Sequence, residues 1–330
     1  MTTPQDGAAA GAPKTADSPI AGGAQRAEGP RAAEGTVFDI GYQHYDGPRE
    51  GRNRARLSVY KDGLKVSLGL GRGARAKILP WLFIGVLMLI GAGLALAAIT
   101  IDRLAGDGTA EAAGLPSLSD YYGIASIIMF IFAAISAPEL LCPDRRDGVI
   151  NLYLVRPLTG SDYIVARWLS FITIMLVVAW LPQIILFAGL TMGAAEPADY
   201  LKDNWLDVPR FLGAGAAIAT YSGTIALLVS GFTTRRAYAS VFMVGLFVVS
   251  TPFTFGLAQE LPETAGKWLS MFNLSNIPMH VNDAIFNSTS GVTADAPAGL
   301  FDTWVLVSWF FLWTVVPAGI LWMRYRRLAV

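Results

Sequence analysis

Six long apolar runs, separated by short polar segments, follow one another along this chain. Each run has at least the roughly 20 residues that an α-helix needs to cross the hydrocarbon core of a bilayer. In lipid, a helix satisfies its backbone hydrogen bonds within its own segment. The pattern therefore predicts an all-α integral membrane protein whose residues 77–330 form a six-helix transmembrane bundle. We place the spans at about residues 79–101, 121–141, 164–192, 208–232, 238–258 and 303–323.

Two polar segments precede the first apolar run. Residues 1–53 are rich in Ala, Gly and Pro and hold too few apolar side chains to offset the entropy of ordering, so we expect a disordered cytoplasmic tail. Residues 54–76 predict an amphipathic interfacial helix, because apolar side chains recur at helical spacing opposite basic ones. The apolar positions are Leu57, Tyr60, Leu64 and Leu68, and the basic ones are Arg56, Lys61 and Lys65. Glycines at positions 63, 69, 71 and 73 disfavour this helix.

Basic residues are concentrated in alternate polar segments. Short loops with an excess of Lys and Arg face the cytoplasm in membrane proteins. The basic segments here are residues 61–77, 145–167, 235–236 and 324–327, whereas the segments at 102–120 and 193–210 are mainly acidic. All four basic groups agree on one side of the membrane, which predicts that both termini are cytoplasmic.

Composition agrees with a membrane protein and gives no indication of a nucleic-acid partner, a disulfide or a metal site. Hydrophobic residues make up 53% of the chain and charged residues 15%, which is too little charge to cover a soluble surface. The net charge is zero, so nothing indicates nucleic acid as a partner. The single cysteine, Cys142, excludes an internal disulfide, and His44 and His280 lie far apart without other soft ligands nearby. We therefore expect no metal site.

The apolar runs hold almost no ionisable side chain that could bind a coupling ion at membrane depth. Glu139 comes nearest, but it stands at the end of its run beside Arg145 and Arg146, where capping or ion pairing is the simpler interpretation. The sequence also lacks the G-x-x-x-x-G-K-[ST] phosphate loop, so the chain is not expected to bind ATP in that way. The external and mid-membrane segments show no clustered His, Asp, Glu or Ser-Lys groups, so we do not expect an enzyme. Energy for transport would have to come from a partner subunit.

The polar segment between the second and third runs carries a distinctive order of residues. An acidic residue and two arginines are followed by glycine, two aliphatic residues, an apolar patch and Arg-Pro. The residues are Asp144, Arg145, Arg146, Gly148, Val149, Ile150, Leu152, Arg156 and Pro157. This order, in this position, resembles the cytoplasmic loop of the ABC type-2 permeases, although those proteins more often have Glu first and Thr-Leu after the glycine.

The resemblance implies a fold, partners and a location. In that family a short coupling helix in this loop docks onto a separate ATPase subunit, which binds ATP and Mg²⁺. Two permease chains, identical or related, enclose one pathway in the bacterial cytoplasmic membrane. The resemblance also implies an elbow helix before the first span and a short re-entrant or interfacial helix after the fifth, here near residues 268–274. The expectation of export rather than import comes from the resemblance alone.

Kinked, small or hydroxyl-bearing positions within the runs are candidates for lining a substrate pathway. They are Pro182, Gln183, Tyr221, Ser222, Thr224, Thr251, Pro252 and Thr254. Ordinary helix packing and local hydrogen bonding is the alternative for each of them. The scarcity of buried charge favours an amphiphilic or lipophilic substrate, drug-like or lipid, over a bare ion. We therefore predict the permease subunit of an ATP-driven exporter; the alternative is a membrane scaffold or sensory subunit that binds a cytoplasmic partner through the same loop.

Overall fold

Every regular element in the computed structural model is helical, over the residues it describes: 47, 51–71, 73–106, 115–154, 158–288 and 301–327. The predicted tail lies almost entirely outside these residues. The described helices are α1 (Arg52–Ser67), α2 (Ala74–Ala105), α3 (Leu118–Arg146), α4 (Val149–Leu154), α5 (Gly160–Gly193), α6 (Pro197–Asp203), α7 (Asp207–Phe232), α8 (Arg236–Glu260), α9 (Glu263–Ser270), α10 (Ile277–Phe286) and α11 (Thr303–Arg326).

Six of the described helices, α2, α3, α5, α7, α8 and α11, are long and apolar enough to cross a membrane. This confirms the predicted six-helix bundle, but several helices extend beyond the apolar runs. Both α3 and α5 begin with a reciprocal capping box, formed by Ser117 with Asp120 and by Thr159 with Asp162. Because these side chains satisfy backbone N–H groups that the first turn leaves open, each helix starts in polar sequence.

The bundle has an inner and an outer set of spans. The most apolar windows of α3, α5 and α7 are 67%, 56% and 67% buried within the chain, against 17%, 17% and 22% for α2, α8 and α11. The outer helix α2 packs on α5, α8 packs on α3, and α11 packs on α7. The three outer helices therefore leave broad apolar faces for lipid or for another chain.

Helix α1 lies against α5 through a narrow stripe of small residues. Val59, Gly63 and Ser67 are buried, and a Cβ at position 63 would overlap Oγ of Ser170. Gly63 therefore permits the close approach of the two helices, although the sequence suggested that it weakened the helix. Of the four predicted apolar positions, Tyr60, Leu64 and Leu68 pack against the core, whereas Leu57 is 41% exposed.

The same helix is shorter than the sequence predicted. It ends at Ser67, and the chain then turns through Gly69 and Gly71, which have φ angles of 68° and 82°. Glycine adopts this left-handed conformation without the steric cost that a Cβ imposes. Residues 54–76 are therefore divided between α1, a turn and the start of α2.

The segment after the fifth span forms two short helices instead of one. Residues 268–274, where we predicted a helix, contain the end of α9 and the turn that leads to α10. Helix α10 packs against α7 and α11, and its residues 277–282 are buried. This pair of helices covers the end of the bundle opposite the basic residues.

A seam of small residues brings α2 against α5. A Cβ at Gly91 would lie 2.8 Å from the backbone oxygen of Pro182, and a Cβ at Gly189 would lie 2.6 Å from Cβ of Ala95. Small residues allow this close packing of transmembrane helices. The proline predicted to interrupt the third span thus lies inside α5 and faces α2.

We predict that Gly91→Ala destabilises the bundle by about 1–3 kcal/mol, because the new methyl group meets backbone that cannot easily move. Gly93→Ala, two residues along the same helix and with open space around it, is the matched control. It should be neutral or stabilising by up to about 1 kcal/mol, since alanine favours a helix over glycine. Unfolding measured in detergent for both variants checks this, and equal effects would contradict the seam.

Candidate functional site

The predicted coupling loop forms a short helix held at the end of α3. Asp144, Arg145 and Arg146 occupy the last turn of α3, and Gly148 turns the chain with a φ of 66°. Val149 and Ile150 then begin α4. Arg156 and Pro157 lie outside the described residues. A turn in the left-handed region explains the glycine at this position, because other residues are strained there.

Helix α4 has one face toward the bundle and another toward its surroundings. Ile150 is buried in the core, whereas Leu152, two residues later, is 69% exposed. An exposed leucine on a six-residue helix contributes little to the fold of this chain. It is instead available to contact lipid or another chain.

Arg167 lies behind this loop and is the centre of the site. It stands in the second turn of α5 and is only 1% exposed. Its Nη1 donates to Oδ2 of Asp62 on α1 at 2.8 Å, and its Nη2 donates to Oδ2 of Asp144 on α3 at 2.7 Å. Tyr163 donates its hydroxyl to the same oxygen of Asp144 at 2.6 Å. One buried guanidinium thus joins three helices.

Aromatic rings complete the surroundings of Arg167. Its Cζ lies 5.5 Å from the ring centre of Tyr163 and 6.0 Å from that of Tyr153 on α4. Tyr163 also stacks on Tyr325 of α11, with ring centres 5.9 Å apart. These rings favour a cation over their faces and connect α4 and α11 to the group. We call Arg167, Asp62, Asp144, Tyr153 and Tyr163 the arginine cluster.

A second set of ion pairs fixes the elbow helix α1 to the start of α5. Asp162 accepts from Arg52 at 2.7 Å and from Arg56 at 2.6 Å. The same carboxylate caps α5 through the backbone N–H of Thr159. Helix α1 is therefore anchored at both ends of its contact with α5, by Asp162 and by Asp62.

The remaining charged residues of the loop have separate roles. Arg145 donates to the backbone oxygen of Gly231 at the end of α7. Arg146 is exposed and pairs with Asp147 at 2.8 Å, and this hydrogen bond lowers the pKa of the Asp147 carboxyl. Glu139 is ion-paired, as the sequence suggested, with Arg236 of α8 at 2.6 Å. The loop is thus connected to α7 as well as to α1 and α5.

A cavity of about 430 Å³ lies between α3 and α8. Apolar walls of Ile127, Phe130, Phe247, Val248 and Phe255 meet polar groups at one side. There, Thr251 donates to the side-chain oxygen of Asn273 at 3.2 Å. The residues at this side are Ser126, Thr251, Asn273, Ser275 and Asn276. Such a mixture suits a ligand that is largely apolar and has a polar portion without charge.

Of the eight predicted pathway residues, Thr251 lines this cavity. Pro252 is exposed next to it, whereas the other six are buried: Pro182, Gln183, Tyr221, Ser222, Thr224 and Thr254. Several of the buried ones bond to the helix scaffold: Gln183 to the oxygen of Leu118, Tyr221 to that of Leu274, Ser222 to that of Ile218, Thr254 to that of Ser250, and Thr224 to Nε1 of Trp168. These contacts are packing interactions of the kind that we kept as the alternative.

Sequence reasoning missed the acidic partners of the site, Asp62 and Asp162. It used Arg167 as a marker of topology and as the end of the loop motif, and not as the centre of a site. It also missed the cavity residues on α3 and in the turn at 271–276. No group of three or more His, Cys, Asp or Glu side chains that could hold a metal ion occurs in the part of the chain that the structure describes.

We predict that Arg167→Met lowers the free energy of unfolding by about 3–5 kcal/mol, because it leaves a largely buried carboxylate on Asp144 without its cation. Adding Asp144→Asn should restore part of this loss. Lys202→Met, which removes an exposed ion pair with Asp199, is the control and should cost less than about 1 kcal/mol. Unfolding in detergent measures all three, and equal losses for the two single variants would contradict a special role of the cluster.

Comparison with known proteins supplies the family. No curated protein matches this sequence. The family model described as ABC-2 family transporter protein matches residues 21–328. The match spans α1, the coupling loop and all six membrane helices, so it confirms the resemblance drawn from the loop. The chain therefore belongs to the ABC-2 family of transporter proteins.

Proposed function

We propose that this chain is the permease subunit of an ATP-driven exporter that moves an amphiphilic or lipophilic substrate, drug-like or lipid, out of the cytoplasm. A separate ABC ATPase subunit would bind ATP and Mg²⁺ and dock on α4. One observation carries the proposal: α4 exposes Leu152 outward while the arginine cluster behind it joins α1, α3 and α5. A contact surface backed by rigid connections to the spans suits the transfer of force.

Charge supports an orientation with this end in the cytoplasm. Arg52, Arg145, Arg146, Arg235, Arg236 and Arg324 lie at the ends of helices that meet there. Acidic residues Asp102, Glu196, Asp199 and Asp207 line a cavity at the opposite end. Since basic residues remain on the cytoplasmic side, both termini and the coupling loop would face the cytoplasm of a bacterial cell.

The position of the cavity suggests how force becomes transport. Movement of α4 would reach α3 through Asp144 and α5 through Arg167. The cavity has α3 as one wall and α8, an outer helix, as the other. Tilting α3 relative to α8 would therefore open or close the space that we propose for the substrate.

A second permease chain, identical or related, is part of the proposal. Helix α8 exposes several large apolar side chains next to the cavity, including Val241, Val248, Val249 and Phe253. Lipid or another copy of a permease satisfies such a face equally well in hydrophobic terms. The family's pairing of two permeases favours the second chain, which would close the cavity on its open side.

We predict that Leu152→Glu or Arg146→Glu lowers the amount of ATPase that co-purifies with the tagged full chain by at least about tenfold, because each places a carboxylate on the contact surface. Leu104→Glu, at a leucine that is 83% exposed near the end of α2, is the control and should change nothing. Mass spectrometry of the eluate and its rate of ATP hydrolysis measure the outcome.

Undiminished ATPase in both loop variants would contradict the docking surface. If the captured partner is a kinase or a regulator instead of an ATPase, the scaffold or sensory alternative is the better description.

We also predict that Val248→Trp weakens binding of a fluorescent amphiphile and its stimulation of ATP hydrolysis in the reconstituted complex. The larger ring would occupy space in the cavity. Val249→Trp is the matched control, because Val249 is adjacent and similarly exposed but does not line the cavity. An equal loss in both variants would show that the effect comes from the outer face of α8 and not from the cavity.

A further inference from the structure

Three exposed aromatic side chains at the basic end of the bundle each have an arginine over the ring. The guanidinium carbon of Arg324 lies 4.3 Å from the ring centre of Phe232, that of Arg326 lies 5.2 Å from Trp322, and that of Arg235 lies 5.3 Å from Tyr238. The three rings are 53%, 40% and 62% exposed, respectively. We call these six residues the arginine–aromatic patch.

The patch is assembled from three spans. Arg324 of α11 donates from Nε to the oxygen of Gly231 at 3.1 Å, which places the end of α11 beside the end of α7. The backbone N–H of Arg235 donates to the hydroxyl of Thr233, two residues earlier, at 3.1 Å. The end of α7, the start of α8 and the end of α11 therefore meet here.

The charges of the patch have no acidic counterpart within the described part of the chain. None of Arg235, Arg324 and Arg326 forms an ion pair there, in contrast to Arg236 on the same turn, which pairs with Glu139. Three positive charges thus remain over exposed rings at this end of the bundle. Arg324 uses its Nε for Gly231, and Arg235 donates from Nη1 to the hydroxyl of Tyr238 at 3.3 Å. Stacking on a ring holds each guanidinium in place and leaves its remaining N–H groups able to donate.

We infer that this patch binds the phosphate of an anionic phospholipid headgroup. Aromatic rings at the ends of membrane spans lie at the boundary between acyl chains and headgroups. Guanidinium groups bind phosphate oxygens through paired, charge-assisted hydrogen bonds. A lipid places its phosphate and its acyl chains in the same relation as the arginines and rings of the patch, whereas an acidic protein surface would leave the rings without partners.

This inference goes beyond transport and does not depend on it. The site would hold an anionic lipid in whichever leaflet this end faces. It also has a structural consequence, because Arg324 and Arg145 donate to the same oxygen of Gly231. A bound headgroup would therefore lie next to the arginine that connects the coupling loop to α7.

The test is native mass spectrometry of the full chain in detergent, titrated with phosphatidylglycerol and, separately, with phosphatidylcholine. The wild-type chain should prefer phosphatidylglycerol. Since each basic residue near an anionic lipid surface contributes about 1 kcal/mol, Arg324→Gln with Arg326→Gln should weaken that binding by roughly 25-fold. Lys202→Gln with Lys267→Gln removes the same charge from α6 and α9, at the other end of the bundle, and should change it by less than about twofold.

Additional variants and a competitor test whether binding depends on the guanidinium group and on the acyl chains of the lipid. Arg324→Lys with Arg326→Lys keeps the charge but loses the planar stacking group and should give an intermediate affinity. Excess inorganic phosphate should compete only weakly if the acyl chains contribute to binding. Thermal unfolding and the affinity for phosphatidylcholine should be the same in all variants, which verifies that the fold is intact.

Three results would overturn the inference. Equal losses in the lysine control and the patch variant would indicate general attraction to negative lipid. Unchanged affinity in the patch variant would exclude the site. Loss of the co-purifying ATPase with phosphatidylglycerol binding intact would identify the patch as a protein-docking surface.

Discussion

A buried arginine held between two carboxylates from distant parts of the chain determines how this end of the bundle is assembled. A charge with almost no access to solvent is strongly destabilising unless it is paired and hydrogen-bonded. Arg167 meets this condition only where Asp62 of α1 and Asp144 of α3 are both within 3 Å of its nitrogens. The elbow helix, the end of α3 and the start of α5 therefore have to meet at one place, and the coupling loop leaves the bundle from that place.

The pairing of Arg167 also connects the exposed helix α4 with the cavity inside the bundle. Helix α4 follows α3 after a single turn and is exposed beyond the arginine cluster, while α3 continues into the bundle as one wall of the cavity. A displacement at α4 thus has a short path into α3 and α5. The small-residue contacts at Gly63 and Gly91 bring α1 and α2 close to α5.

Hydropathy alone predicted the six spans and the all-α class, because each span needs a long apolar run and little else in lipid has that signature. Hydropathy did not predict the exact helix ends, because the capping boxes at Ser117 and Thr159 start helices in polar sequence. The loop motif gave the family. The role of Gly63 was not predictable, because it depends on the close contact with Ser170 on α5 and not on helix propensity.

The site was harder to predict for related reasons. Asp62 is 105 residues from Arg167, and only the folded chain brings them together. An arginine near the start of a span is normally a marker of topology, and its burial has no signature in a single sequence. Of the eight predicted pathway residues, Thr251 lines the cavity and the other seven do not. The sequence could not separate them, because a helix that is apolar on all sides gives no indication of which face points inward.

The most direct measurement is the number of substrate molecules moved per ATP hydrolysed by the reconstituted complex with Arg167→Lys. Lysine keeps the positive charge but cannot bond to two carboxylates in the fork geometry of a guanidinium. We expect hydrolysis to continue while substrate moved per ATP falls well below the wild-type ratio, because the coupling loop would no longer be fixed to α1 and α5 together. An unchanged ratio would contradict the account.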